Sequence, residues 1–153
     1  MSELRELYQQ VILDHHRKPR NFRKLQQPTG TAEGFNPLCG DRVSVEVEIT
    51  DGVISDIAFQ GSRCAISRAA ASMMTASLKG QSVAAAVGTF TRFHRMLTDS
   101  QAPRELTDAL GKLAVFAGVR EFPSRIKCAT LPWHTARAAL AALAGKAELV
   151  STE

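Results

Sequence analysis

Cys39, Cys64 and Cys128 are the only cysteines in the 153-residue sequence, and Asp41 follows the first of them by two positions. The segment from Met1 to Gln10 lacks a signal-peptide core, so an oxidised, secreted framework is not expected, and three cysteines cannot all pair. Two readings remain open on residue type alone. The cysteines can be inert, because a free thiol packs like a small hydrophobe. Alternatively they converge as thiolates, the form that binds metal and attacks sulfur.

Their surroundings favour convergence. Each cysteine falls at a boundary between elements rather than on an apolar stripe. Cys39 sits in the turn Asn36-Pro37-Leu38-Cys39-Gly40-Asp41. Cys64 follows Gly61 at a step from strand to helix, and Cys128 reads as the start of the last helix. A helix N-terminus favours a thiolate over a thiol. Residues two apart in an extended chain point the same way, so Cys39 and Asp41 can face one ion across Gly40. Three sulfurs and one carboxylate oxygen suit a tetrahedral Zn²⁺, and the carboxylate leaves one ligand easier to exchange than a fourth thiolate would be. Arg42, Arg63, Arg125 and Lys127 lie beside these residues and can offset the negative charge, with Arg125 the leading candidate for a supporting role. The spacing contains no C-x-x-C pair, so on its own it does not decide for metal.

The elements that must position these residues follow from periodicity. Ser2 to His16 carries Leu4, Leu7, Tyr8, Val11 and Ile12 at helical spacing, ending before Pro19 and Asn21. Gly30 to Phe35 reads as a short strand. From Arg42 to Thr50, Val43, Val45, Val47 and Ile49 alternate with Ser44, Glu46 and Glu48, as in a half-buried strand. Asp51-Gly52 marks a hairpin, and Val53 to Gln60 returns. Helices are expected over Cys64 to Leu78, Ser82 to Leu97, Arg104 to Phe116 and Ala129 to Leu143, with Met73 and Met74 filling core space. The sequence shows no repeat and no linker, which gives one domain over residues 1–153 with a tail expected to fray from Lys146.

Four segments resemble one family. They are Ile12-Leu13-Asp14-His15-His16-Arg17-Lys18-Pro19-Arg20-Asn21, Asn36 to Asp41, Gly61-Ser62-Arg63-Cys64-Ala65-Ile66-Ser67, and Arg125-Ile126-Lys127-Cys128-Ala129-Thr130-Leu131-Pro132-Trp133. Together, and in this order, they resemble the U-type (IscU, SufU and NifU N-terminal) iron–sulfur assembly proteins from about Leu4 to Leu143. Within that group the chain is similar to the SufU branch. Lys127 stands where IscU-type scaffolds carry a histidine, and a long helical stretch separates Cys64 from Cys128.

The resemblance implies an α+β fold, a three-stranded antiparallel sheet packed against about five helices. It implies zinc held by Cys39, Asp41, Cys64 and Cys128. It also implies a partner, a SufS-type cysteine desulfurase dependent on pyridoxal phosphate. Such a desulfurase carries a persulfide, and a histidine of the desulfurase displaces one cysteine from the zinc. Matched by motif, Cys39 accepts the sulfur and passes it toward downstream Fe–S assembly proteins. A scaffold role, with iron or a [2Fe–2S] cluster on the same ligands, is the first rival. A zinc-stabilised interaction module without catalytic activity is the second.

Other classes are disfavoured. No apolar run reaches the roughly 18 residues of a membrane span, and the chain reads as cytoplasmic. The formal charge of +4 is spread along the chain, and one tyrosine, one tryptophan and seven phenylalanines fall mostly on apolar helical faces, unlike a nucleic-acid platform. His15, His16, His94 and His134 lie on expected helices far in sequence from the cysteines and are poor ligand candidates.

Overall fold

The computed structural model describes residues 2–37, 40–62, 64–141 and 147–151. Cys39 and Arg63 lie outside the described residues, as do the side chains of Leu4, Leu7 and Tyr8. The described elements run α1 (Ser2–Arg17), β1 (Gly30–Asn36), β2 (Asp41–Thr50), β3 (Val53–Gly61), α2 (Ala65–Leu78), α3 (Val83–Thr98), α4 (Arg104–Asp108), a 3₁₀ segment (Gly111–Glu121), α5 (Pro123–Ala141) and β4 (Ala147–Ser151).

β1, β2 and β3 form the expected antiparallel sheet. The alternation in β2 buries Val43, Val45 and Val47 completely. Across the register Ala32 faces Val45 and Phe59 faces Val45 from the other side, so one face of the sheet is apolar. That face must be covered, and α5 lies across β1 and β2 while α2 packs against β3 and α5. The approach is close at Gly34, where a Cβ would stand 2.0 Å from Thr135 Oγ1 and 3.0 Å from Leu131 Cδ1. Behind this layer Phe93 stacks on Trp133 with ring centroids 4.5 Å apart, and Phe116 meets Phe93 edge-on at 5.7 Å. Met73 and Met74 are core residues, as expected.

The end of α1 is fastened to α2 by polar groups. His15 Nδ1 and Ser72 Oγ share a hydrogen bond of 2.7 Å, and the Arg20 N–H donates to the same hydroxyl at 2.8 Å. Asn21 takes a left-handed backbone (φ 61) and donates from Nδ2 to Thr75 Oγ1. The basic residues at this helix end are therefore divided: Arg17 and Lys18 face water, and His15 turns inward.

Three boundaries depart from the sequence reading. The helix expected over Arg104 to Phe116 stops at Asp108, and Gly111 (φ +60) leads into the 3₁₀ segment. Leu113, Phe116 and Val119 recur every three residues, which aligns them on one face of a three-residue turn, and all three are buried. The last helix begins at Pro123, six residues before the expected Ala129, because proline suits the first helical position. The tail expected to fray instead carries β4, which pairs parallel to β1 and gives the sheet the order β3-β2-β1-β4. β1 would otherwise present an open edge there, and β4 satisfies its backbone groups.

Candidate metal centre

The sheet and two helices bring three of the four expected ligand residues to one end of the molecule. Asp41 opens β2, opposite Asn36 at the end of β1. The strand alternation that buries Val43 turns Asp41 to the same face, and Asp41 is only 7% exposed. Gly40 (φ +76) donates its N–H to the Asn36 carbonyl.

Cys64 is the N-cap of α2, in extended conformation, as the sequence led us to expect. The N–H groups of Ser67 and Ile66 point toward its sulfur and favour the thiolate. A larger effect comes from Cys128, whose thiol hydrogen-bonds to Cys64. The Cys64 pKa falls to about 6, with burial and the Asp41 charge acting in the opposite direction. Asp41 is near enough for its charge to oppose that shift.

Cys128 reaches this place differently from the expectation. It is not at a helix N-terminus but in the second turn of α5, since that helix starts at Pro123. Its sulfur also lies 3.6 Å from the Ser124 carbonyl oxygen, the alternative acceptor for its single proton. Pro132, four residues on, has no N–H to offer the Cys128 carbonyl, so the helix omits a backbone bond beside the thiol. Neither cysteine is in a disulfide, and both are half-buried.

Arg125 is exposed and stacks over the Phe122 ring at 4.7 Å, one turn before Cys128 on α5. Arg42 lies over Phe35 at 4.9 Å, and Lys127 is half-buried. None of the four histidines joins the centre: His15 and His16 end α1, and His94 and His134 pack around Phe90.

Sequence reasoning did not find Ser62. It is buried, has positive φ (71), and donates from Oγ to Asp41 Oδ2 at 3.1 Å. The signal available was its place after Gly61 in a segment that must turn sharply from β3 into α2.

Among the described residues, no three His, Cys, Asp or Glu side chains are gathered closely enough to hold an ion by themselves; the remaining expected donor, Cys39, is outside them. The donor chemistry nonetheless fits zinc. Two thiols in mutual hydrogen-bonding contact, one of them acidic, sit beside a buried carboxylate.

Comparison with known proteins places the chain in a family. The family described as the NifU-like N terminal domain matches residues 7–129. The chain belongs to this family, the U-type scaffold family. It is 37% identical to the zinc-dependent sulfurtransferase SufU of Bacillus subtilis over 86% of this chain and 88% of that one. It is 36% identical to the iron–sulfur cluster assembly scaffold protein IscU of Streptococcus pyogenes over 92% of this chain and 86% of that one. Among solved structures, one described as an assembly scaffold for the SUF system of Fervidobacterium islandicum superimposes with a TM-score of 0.78 at 28% identity. That match covers 85% of this chain and 93% of the other. The U-type α+β architecture is thus shared beyond the sheet and helices that carry the cysteines.

Proposed function

We propose that this U-type protein acts in iron–sulfur cluster assembly as a zinc-dependent sulfurtransferase. It takes persulfide sulfur from a SufS-type, pyridoxal-phosphate-dependent cysteine desulfurase in the cytoplasm and passes it to downstream assembly proteins. The observation that carries the reading is the Cys64–Cys128 thiol pair, with its acidic member, beside the buried Asp41 carboxylate.

Cys39, Asp41, Cys64 and Cys128 would hold the ion. Bound zinc supplies a positive charge that keeps these thiols ionised and unreactive until a partner docks. The chain's own residues do the rest. Cys64 and Cys128 are anchored in α2 and α5, whereas Cys39 stands in the β1–β2 connection between Pro37 and Gly40, which suits it to be the acceptor. Its thiolate attacks the terminal sulfur of the partner's persulfide. A new S–S bond forms at Cys39, the partner's S–S bond breaks, and the partner's cysteine leaves as a thiolate, so the electron count is unchanged. Arg125, one turn from Cys128, is the cation we assign to the rim of the centre.

A second reading is supported by relatives named as scaffolds: the same four residues hold iron or a [2Fe–2S] cluster during its assembly. Lys127, in place of a histidine before Cys128, favours the sulfurtransferase. Desulfurase turnover with and without this protein, before and after zinc removal, tests the first reading. Acceleration is expected only with the zinc-loaded protein, and Cys39→Ala should reduce it to the desulfurase's own rate while keeping the fold. Full turnover with Cys39→Ala would sink the assignment. Anaerobically purified protein should carry near-stoichiometric zinc and no visible chromophore; a coloured iron-bearing product would support the scaffold instead.

A further inference from the structure

Ser62 occupies a backbone conformation that suits glycine better than serine. Its φ of 71 follows a φ of +87 at Gly61, so two consecutive residues turn left-handed between β3 and Cys64. At Gly61 the reason for glycine is plain, because a Cβ would stand 2.7 Å from the Arg42 carbonyl oxygen. No such argument explains a serine at the next position, where its Cβ makes the left-handed turn costly. What serine adds is a hydroxyl, and the structure shows where it goes. Ser62 is 4% exposed and donates to Asp41 Oδ2 at 3.1 Å. Its N–H donates to the Arg42 carbonyl at 2.6 Å.

These two bonds differ in kind. The N–H bond continues the β2–β3 ladder and any residue but proline can make it. The hydroxyl bond depends on serine and ends on a carboxylate, where a donor is worth more than on a neutral acceptor. It ties the segment leading to Cys64 to the side chain of Asp41, two of the expected zinc ligands. Outer partners of this sort fix the orientation of a ligating carboxylate.

We propose that Ser62 is a positioning residue for the metal centre: its hydroxyl sets the orientation in which the Asp41 carboxylate meets the zinc. This rests on the zinc reading above. Ser62 touches Asp41 and is not itself a ligand.

Ser62→Gly separates the two roles of the residue, since glycine accepts the backbone turn while the hydroxymethyl group is lost. The metal-free variant should still unfold cooperatively, relief of the left-handed turn offsetting part of the lost hydrogen bond. Its zinc affinity, read by competition with a chromogenic chelator, should fall about 10- to 100-fold, the range typical for loss of an outer partner. The visible bands of the cobalt-substituted protein should shift, reporting an altered ligand field. Ser62→Ala keeps a Cβ and should lose a similar factor. In an Asp41→Ala background, Ser62→Gly should have no further effect, because the hydroxyl acts through that carboxylate. Wild-type affinity and spectrum in Ser62→Gly would overturn the proposal and leave the zinc reading standing. An undiminished loss in the Asp41→Ala background would also overturn it. A wild-type protein that takes up no zinc would refute the zinc reading, and this assignment with it.

Discussion

Cys128 sets the chemistry of Cys64 before any ion arrives. The hydrogen bond from Cys128 is the largest cause of the low Cys64 pKa of about 6, ahead of the N–H groups at the start of α2. In zinc-free protein, alkylation at Cys64 by iodoacetamide should therefore be half-maximal near pH 6 and nearly complete in thiolate form at pH 7.5. Cys128→Ala should move that midpoint up toward the ordinary thiol value of 9.0. Peptide mass mapping across a pH series checks both, and an unmoved midpoint would remove Cys128 from the explanation. The face that Asp41 takes was legible in the sequence, because strand alternation fixes it. Ser62 was not legible, because nothing local to Gly61-Ser62-Arg63 announces a hydroxyl meeting a carboxylate 21 positions earlier.

Element boundaries were read well where a single period dominates and poorly where two compete. The valines of β2 and the Asp51-Gly52 turn left little choice, and β2 and β3 end within one residue of their expected limits. Leu106, Leu110 and Leu113 also fit an α-helix, but the chain past Gly111 follows the three-residue spacing of Leu113, Phe116 and Val119. Residue pattern alone does not weigh that tertiary preference. The early start of α5 matters more for function, since it moves Cys128 from a helix end into a helix body. The contact between β1 and α5 yields a prediction at this scale. Gly34→Ala would push a Cβ into Thr135, whose hydroxyl is already committed to the Leu131 carbonyl at 2.7 Å. The variant should lose about 1–3 kcal/mol in urea unfolding, the usual cost of overpacking. A loss below about 0.5 kcal/mol, the range of neutral surface changes, would mean that the helix can retreat from the sheet.

At the scale of the whole molecule, two half-buried histidines make stability depend on pH. Burial is the main cause of the lowered pKa of His15, followed by Arg20, and of His134, followed by His94 and Arg137. Each binds its proton less readily in the folded chain than in the unfolded one. Above the ordinary value of 6.5 both states are neutral and there is no effect. As pH falls through 6.5 the unfolded chain takes up protons first, and stability declines until the folded-state pKa is passed. The melting temperature should thus drop between pH 7 and pH 5, and His134→Gln should flatten part of that slope. Equal slopes for variant and parent would show that His134 does not contribute.

β4 runs parallel to β1, with Ser151 beside Phe35, one residue from the end of β1 where Asn36 pairs with Asp41. Anything fused behind Ser151 leaves the sheet at the cysteine end of the molecule. A polyhistidine tag placed there would hold a row of imidazoles within reach of the centre, competing for zinc and mimicking a partner's histidine. The choice of expression vector therefore decides which metal stoichiometry is measured.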